Sequence, residues 1–207
     1  MKNYVFIILL IAITKATAQT NSKYEFQKER FNLGQSFLKE NQNEKAIQLF
    51  FFTHHIIPDN ELGQIAYKKY DSLKPIVREN LLSNISGNWK KINPPGNGII
   101  PDENSPVGEM ITINSNEILF FELYKKSKEW CLVKTEPLIF CHKAEETPYI
   151  SYMPFFTELV FKDKSVWQYY VDETSGFLKA YEIGSETENG VAEIVCGNTK
   201  LEYYKLQ

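Results

Sequence analysis

The hydrophobic period of this chain changes once, near residue 84, and that switch limits the fold more than any other feature. Between Glu25 and Leu82 apolar residues recur at helical spacing; from Ser86 onward they alternate. Helix-period and strand-period patterns do not substitute for each other. Helices followed by a run of strands therefore predict a segregated α+β protein, with a helical segment over 22–83 and a β domain over 86–207. At 207 residues, 43% hydrophobic and 24% charged, the chain has apolar material for one domain or two small ones.

In the helical segment Phe31, Gly34, Phe37 and Leu38 share one face of a first helix. Asn41-Gln42-Asn43 breaks it, with Asn43 able to cap the next. Ala46, Ile47, Phe50 and Phe51 form the stripe of a second helix that ends by Pro58. Asp59 or Asn60 can cap a third, with Leu62, Ile65, Ala66, Tyr70 and Leu73 on its apolar side. Pro75 is expected to kink or restart that helix, since it removes a donor and crowds the preceding turn.

Ten candidate strands follow: Gly87–Ile92, Glu109–Ile113, Glu117–Lys125, Lys128–Lys134, Leu138–His142, Phe156–Lys162, Ser165–Asp172, Phe177–Ile183, Val191–Cys196 and Lys200–Leu206. Short turns at Asn114-Ser115-Asn116, Asp163-Lys164, Glu173-Thr174-Ser175-Gly176 and Gly197-Asn198 separate several of them. Consecutive strands with tight turns predict an antiparallel up-and-down sheet, and closure into a barrel would remove its edges. A β-sandwich, or an open sheet closed by the helices, is the alternative.

Two family resemblances follow from particular residues. Leu33-Gly34, Phe37, Ala46, Phe50 and Pro58 sit at the spacings of a tetratricopeptide repeat, which the first two helices resemble. The repeat's opening tryptophan is missing and Thr53 replaces a usual alanine. An ordinary helical hairpin accommodates the same spacing. One such repeat cannot bury its own faces, so it would pack on a neighbouring domain or on a partner. The β segment opens with Gly87-Asn88-Trp89, and a Gly-x-Trp at the first of many antiparallel strands resembles the lipocalin-like families. The resemblance implies a barrel whose tryptophan plugs the closed end, and a lid formed by the long Pro/Gly-rich connection from Asn93 to Gly108. The family's last-strand arginine is absent; Lys200 or Lys205 would have to replace it.

Aromatic residues are dense in the predicted strands. Phe120, Tyr124, Trp130, Trp167 and Tyr169 are the candidate lining of a pocket for a small hydrophobic ligand. The same side chains would serve as the filling of a small packed barrel, since barrels of eight strands are often just packed.

Catalytic signatures are missing from the sequence: there is no H-E-x-x-H, G-x-S-x-G, phosphate-binding glycine loop or C-x-x-C. His54 and His55 are neighbours on a helix and point about 100° apart, unlike an i, i+4 chelating pair. Cys141 and His142 would face opposite sides of a strand. No catalytic residue, metal or cofactor is therefore expected. A formal charge of −3 argues against nucleic acid as a partner. Only Arg30 and Arg78 could form bidentate anion clamps.

Lys2, the nine-residue apolar run Val5–Ile13 and Ala16-Thr17-Ala18 have the layout of a secretory signal cleaved after Ala18. Spanning a bilayer would need about 20 apolar residues. A soluble periplasmic or secreted product is expected. In an oxidising compartment Cys131 and Cys141 would pair across a hairpin if Thr135-Glu136-Pro137 formed its turn, leaving Cys196 buried and free; three unlinked core cysteines are the alternative. Two functions fit these features. One is an exported, non-enzymatic binding protein holding a small apolar ligand in its barrel. The other is a secreted interaction protein that docks a protein partner on the helices and has a packed barrel.

Overall fold

The structure, a computed structural model, describes residues 22–92, 104–142, 157–194 and 196–206. Residues 1–18, expected to be a signal segment, and most of the expected lid lie outside the described residues. The chain divides into two compact units with the boundary between Val77 and Arg78. Three helices lead: α1 over 22–39, α2 at Asn43–Ile56 and α3 at Glu61–Ile85.

In the helical unit, Asn41 adopts φ 59° and turns the chain out of α1. Gln42, rather than Asn43, occupies the N-cap of α2, and its side chain bonds Glu40 instead of capping. Ala46, Ile47, Phe50, Ala66, Tyr70, Leu73 and Val77 are buried. Gly34 is required where α1 meets α2: a Cβ there would lie 3.0 Å from the Phe50 ring. Buried Gln27 binds the helix ends together. Its amide nitrogen donates to the carbonyls of Thr53 and Ile57, both at 3.0 Å, and its oxygen accepts from the Asn60 side chain. Asn60 in turn caps α3, accepting the Gly63 N–H at 2.6 Å. Pro75 does not restart the helix: α3 runs through it as one 25-residue helix. Buried Tyr70, Leu73 and Val77 flank the proline on both sides, and their packing outweighs one missing hydrogen bond.

The second unit is a curled antiparallel sheet. Its strands are β1 (Gly87–Lys91), β2 (Pro106–Ile113), β3 (Glu117–Tyr124), β4 (Trp130–Pro137), β5 (Leu159–Val160), β6 (Ser165–Val171), β7 (Leu178–Thr187), β8 (Gly190–Glu193) and β9 (Lys200–Lys205). The spatial order is β4-β3-β2-β1-β9-β7-β6-β5, with β8 attached to β7 alone. First and last strands are thus neighbours, and β8 lies off the main path of the sheet. It pairs with Gly184–Thr187, beyond the stretch of β7 that β9 uses. Gly184 permits this: a Cβ there would lie 2.3 Å from the Ala192 carbonyl oxygen.

Two sequence expectations fail at β4. Thr135-Glu136-Pro137 is not a turn but strand, paired with Leu119, Ile118 and Glu117. Pro137 is tolerated because Leu138 N–H bonds Asn116 O, so alternation leaves the proline nitrogen facing away from β3. The Cys131–Cys141 hairpin therefore does not exist. None of the three cysteines forms a disulfide; Cys141 is buried, and Cys131 and Cys196 are exposed. Past Pro137 the chain crosses toward β5, where Val160 N–H bonds Ile139 O and Cys141 N–H bonds Glu158 O, both at 2.8 Å.

One face of the sheet carries the core: Trp89, Ile111, Ile113, Ile118, Leu159, Phe161, Tyr169, Leu178, Ala180 and Tyr203, with Ile85 from the end of α3. A smaller cluster joins Cys141, Val160, Val166 and Val191.

Candidate functional site

The core-bearing face, here the inner face, has a buried end at Trp89, called the base, and a polar end. At the base, Trp89 lies opposite Ile111 on β2 and Lys205 on β9. Its indole N–H donates to Ile85 O at 2.7 Å, and the Ser86 hydroxyl bonds Leu82 O, so the last carbonyls of α3 are satisfied as the strand begins. Gly87 makes the bend at φ +125°, and a Cβ there would lie 3.3 Å from Lys205 Cε. Lys205 Nζ sits 5.1 Å from the centre of the Trp89 ring, a cation–π contact. Each end of Gly-x-Trp has its own role here: Gly87 makes the bend and clears Lys205, and Trp89 is a buried core ring.

Above the base is an aromatic cluster. Phe161 stacks on Trp167 at 5.7 Å and meets Phe120 edge-on at 6.0 Å and Tyr169 at 6.4 Å. Burial raises the Tyr169 hydroxyl well above its ordinary range, helped by nearby Tyr203 and Glu136. Lys134 reaches over the same rings, 5.0 Å from Phe161 and 5.6 Å from Phe120, and ends on the Glu136 carboxylate at 2.9 Å. Glu136, 1% exposed, also accepts the Lys162 backbone N–H at 2.8 Å. A carboxylate buried this deeply is held by one cation and one aligned amide.

The polar end follows on β1–β4. Glu109 and Glu122 face each other directly. Lys91 neutralises the first through two 2.8 Å contacts, and the Tyr124 hydroxyl donates to the second. That bond to Glu122 raises the Tyr124 pKa, with some burial and the charge of Glu122 adding to it. Cys131 stands opposite Glu122. Tyr124, Asn104, Lys126 and Ser127 line an open depression of about 540 Å³ beside the β3–β4 turn.

No protein family, curated protein or solved structure matches this chain.

Of the five aromatic residues singled out by sequence, the structure brings Phe120, Trp167 and Tyr169 into one cluster around Phe161. Tyr124 shares their face, farther along β3. Trp130 does not: it faces Leu123 and covers Gly108 on the opposite side of the sheet, with Trp130 Cη2 3.3 Å from where a Gly108 Cβ would be. His54 Nδ1 contacts Gly63 O and His55 Nδ1 contacts Phe51 O. Among the described residues no three His, Cys, Asp or Glu side chains gather as a metal site. No helix of the described residues is long and apolar enough to cross a membrane.

Sequence reasoning missed the buried charges. Glu158, 6% exposed, is raised to a pKa of about 7, chiefly by burial; the Thr157 N–H and the charge of Arg78 act the other way. Arg78 itself lies 4.6 Å over the Phe140 ring. Lys134 and Glu136 have no local signature either, since their partners are brought in by strand pairing.

Proposed function

We propose that the sheet unit is a lipocalin-like barrel and that the protein is an exported, non-enzymatic binder of one small apolar ligand. The observation that carries this reading is the Trp89–Lys205 pair at the base: a buried tryptophan on the first strand under a cation from the last strand. The contacts of 139–141 with 158–160 support closure at the other seam. In this reading the ligand's apolar part rests on Phe120, Trp167 and Tyr169, and its polar end meets Tyr124 and Glu122. Trp130, on the outer face, takes no part. The sequence offers no nucleophile–base pairing that would turn binding into catalysis.

The test is a titration of the purified protein with the apolar dye N-phenyl-1-naphthylamine, alongside mass spectrometry of its organic extract. Saturable dye binding that Tyr124→Lys weakens, with the fold intact by circular dichroism, is the expected result. A protein that takes up no dye and yields no extractable apolar molecule has a packed barrel.

In that case the helical unit becomes the working surface. Tyr24, Phe26, Leu33, Ile65, Tyr67 and Ile76 are large apolar residues 38–44% exposed there, which favours a protein partner as the second reading.

A further inference from the structure

β4 ends the sheet, and among the described residues nothing pairs with its outer edge from Trp130 to Lys134. Beyond that stretch the same edge is used, since Lys162 bonds Thr135 O and the Glu136 carboxylate. The bare stretch is short and apolar. Leu132 is 54% and Val133 49% exposed, and Cys131 is exposed between Trp130 and Leu132. Proteins ordinarily blunt such an edge with charge or proline, because its free N–H and C=O groups template pairing.

The register determines what can pair with it. The β3–β4 turn closes with Lys128 N–H on Tyr124 O, and Glu122 lies opposite Cys131. Alternation along the ladder then directs the peptide groups of Cys131 toward β3 and those of Trp130 and Leu132 toward the open edge. An antiparallel copy of the same strand, centred on Cys131, satisfies all of those groups. Trp130 of each copy exchanges backbone bonds with Leu132 of the other, and their side chains meet on the outer face. The bulge in β4, where the register slips between Leu132 and Lys134, brings Lys134 of one copy opposite Glu129 of the other, a pair of opposite charges.

We propose that β4 is a self-pairing edge, and that its occupant is a second copy of this chain related by a two-fold axis through Cys131. The two Cys131 residues then form a non-hydrogen-bonded pair with Cα atoms about 4.5 Å apart, within disulfide reach. With oxidised glutathione as oxidant, the two thiols lose two electrons and two protons, one S–S bond forms, and the glutathione disulfide is cleaved to two thiols.

The test uses the full mature chain. Under reducing conditions, sedimentation should show a concentration-dependent dimer, and Leu132→Lys should raise its dissociation constant by roughly tenfold or more. Because Leu132 is exposed, that variant should keep the wild-type circular dichroism. With oxidised glutathione, a cross-linked dimer should form in the wild type and in Cys196→Ser but not in Cys131→Ser. A monomer in the reducing buffer across the concentration range overturns the proposal, as does a dimer indifferent to Leu132→Lys or cross-linked through Cys196.

Discussion

The base and the polar end of the inner face are made from the same strands, yet they are built on different terms. At the base three polar groups beside Trp89 are engaged within the fold: the indole N–H on Ile85 O, the Ser86 hydroxyl on Leu82 O, the Lys205 ammonium over the ring. At the other end two glutamates face each other, one neutralised by Lys91 and one leaning on a tyrosine hydroxyl beside an open depression. Closed hydrogen bonding around a buried ring supplies stability. A half-open row of carboxylates supplies little, and leaves groups available for recognition.

That contrast is broken most directly at Trp89. Trp89→Ala removes a fully buried ring and leaves a cavity, so it should cost about 3–5 kcal/mol in urea unfolding. Tyr124→Phe at the polar end should stay within roughly 0.5 kcal/mol. Equal losses would mean that the two ends are not different in kind.

Glu158 tests the buried charges through pH. Its folded pKa of about 7 lies above the ordinary 4.5, so the folded state holds a proton that the unfolded state gives up between those values. Its contribution is fully present below pH 4.5 and disappears as pH rises to about 7, a loss of roughly 3 kcal/mol. Glu158→Gln should remove that slope and make the protein more stable than wild type at pH 8, as read by melting curves across pH. A parallel pH profile in both proteins would show Glu158 to be ionised without penalty.

Gly184→Ala should cost about 1–3 kcal/mol, because its Cβ would meet the Ala192 carbonyl oxygen, a backbone atom, at 2.3 Å. Gly108→Ala, whose neighbour is the movable Trp130 ring at 3.3 Å, should cost less, and differential scanning calorimetry of the pair separates the two. Lys205→Met should lose about 0.5–1 kcal/mol in thermal unfolding as the cation leaves the Trp89 ring.

Elements with an uninterrupted period were legible in the sequence. The α2 stripe Ala46, Ile47, Phe50 and the alternation through β6 and β7 gave helices and strands close to those observed. Legibility failed where a residue's usual preference was overruled from outside its own segment. Thr135-Glu136-Pro137 reads as a turn because proline seldom sits in a ladder, yet the Pro137 nitrogen happens to fall on the side away from β3. Pro75 reads as a break, but packed residues on both sides carry the helix past it. Glu136 looks like a surface residue until pairing with Ile118 places it on the inner face beside Lys134. Phe120, Trp167 and Tyr169, picked out by aromatic density, gather around Phe161. Aromatic density could not tell Trp130 from them, because its face is set by its pairing with Leu123 beyond the β3–β4 turn.

The insertion of β9 between β1 and β7 has a consequence for the order of assembly. Strands β1–β4 can zip together as successive hairpins, and β6–β8 can do the same, all through contacts close in sequence. Joining these two halves waits for Lys200–Lys205, whose pairing with β1 spans more than a hundred residues of chain. High contact order of this kind slows folding, because the entropy of closing the long loop is lost before the new contacts form. Until β9 arrives, β1 and β7 each present an unpaired flank, which makes the half-assembled sheet the stage most exposed to aggregation.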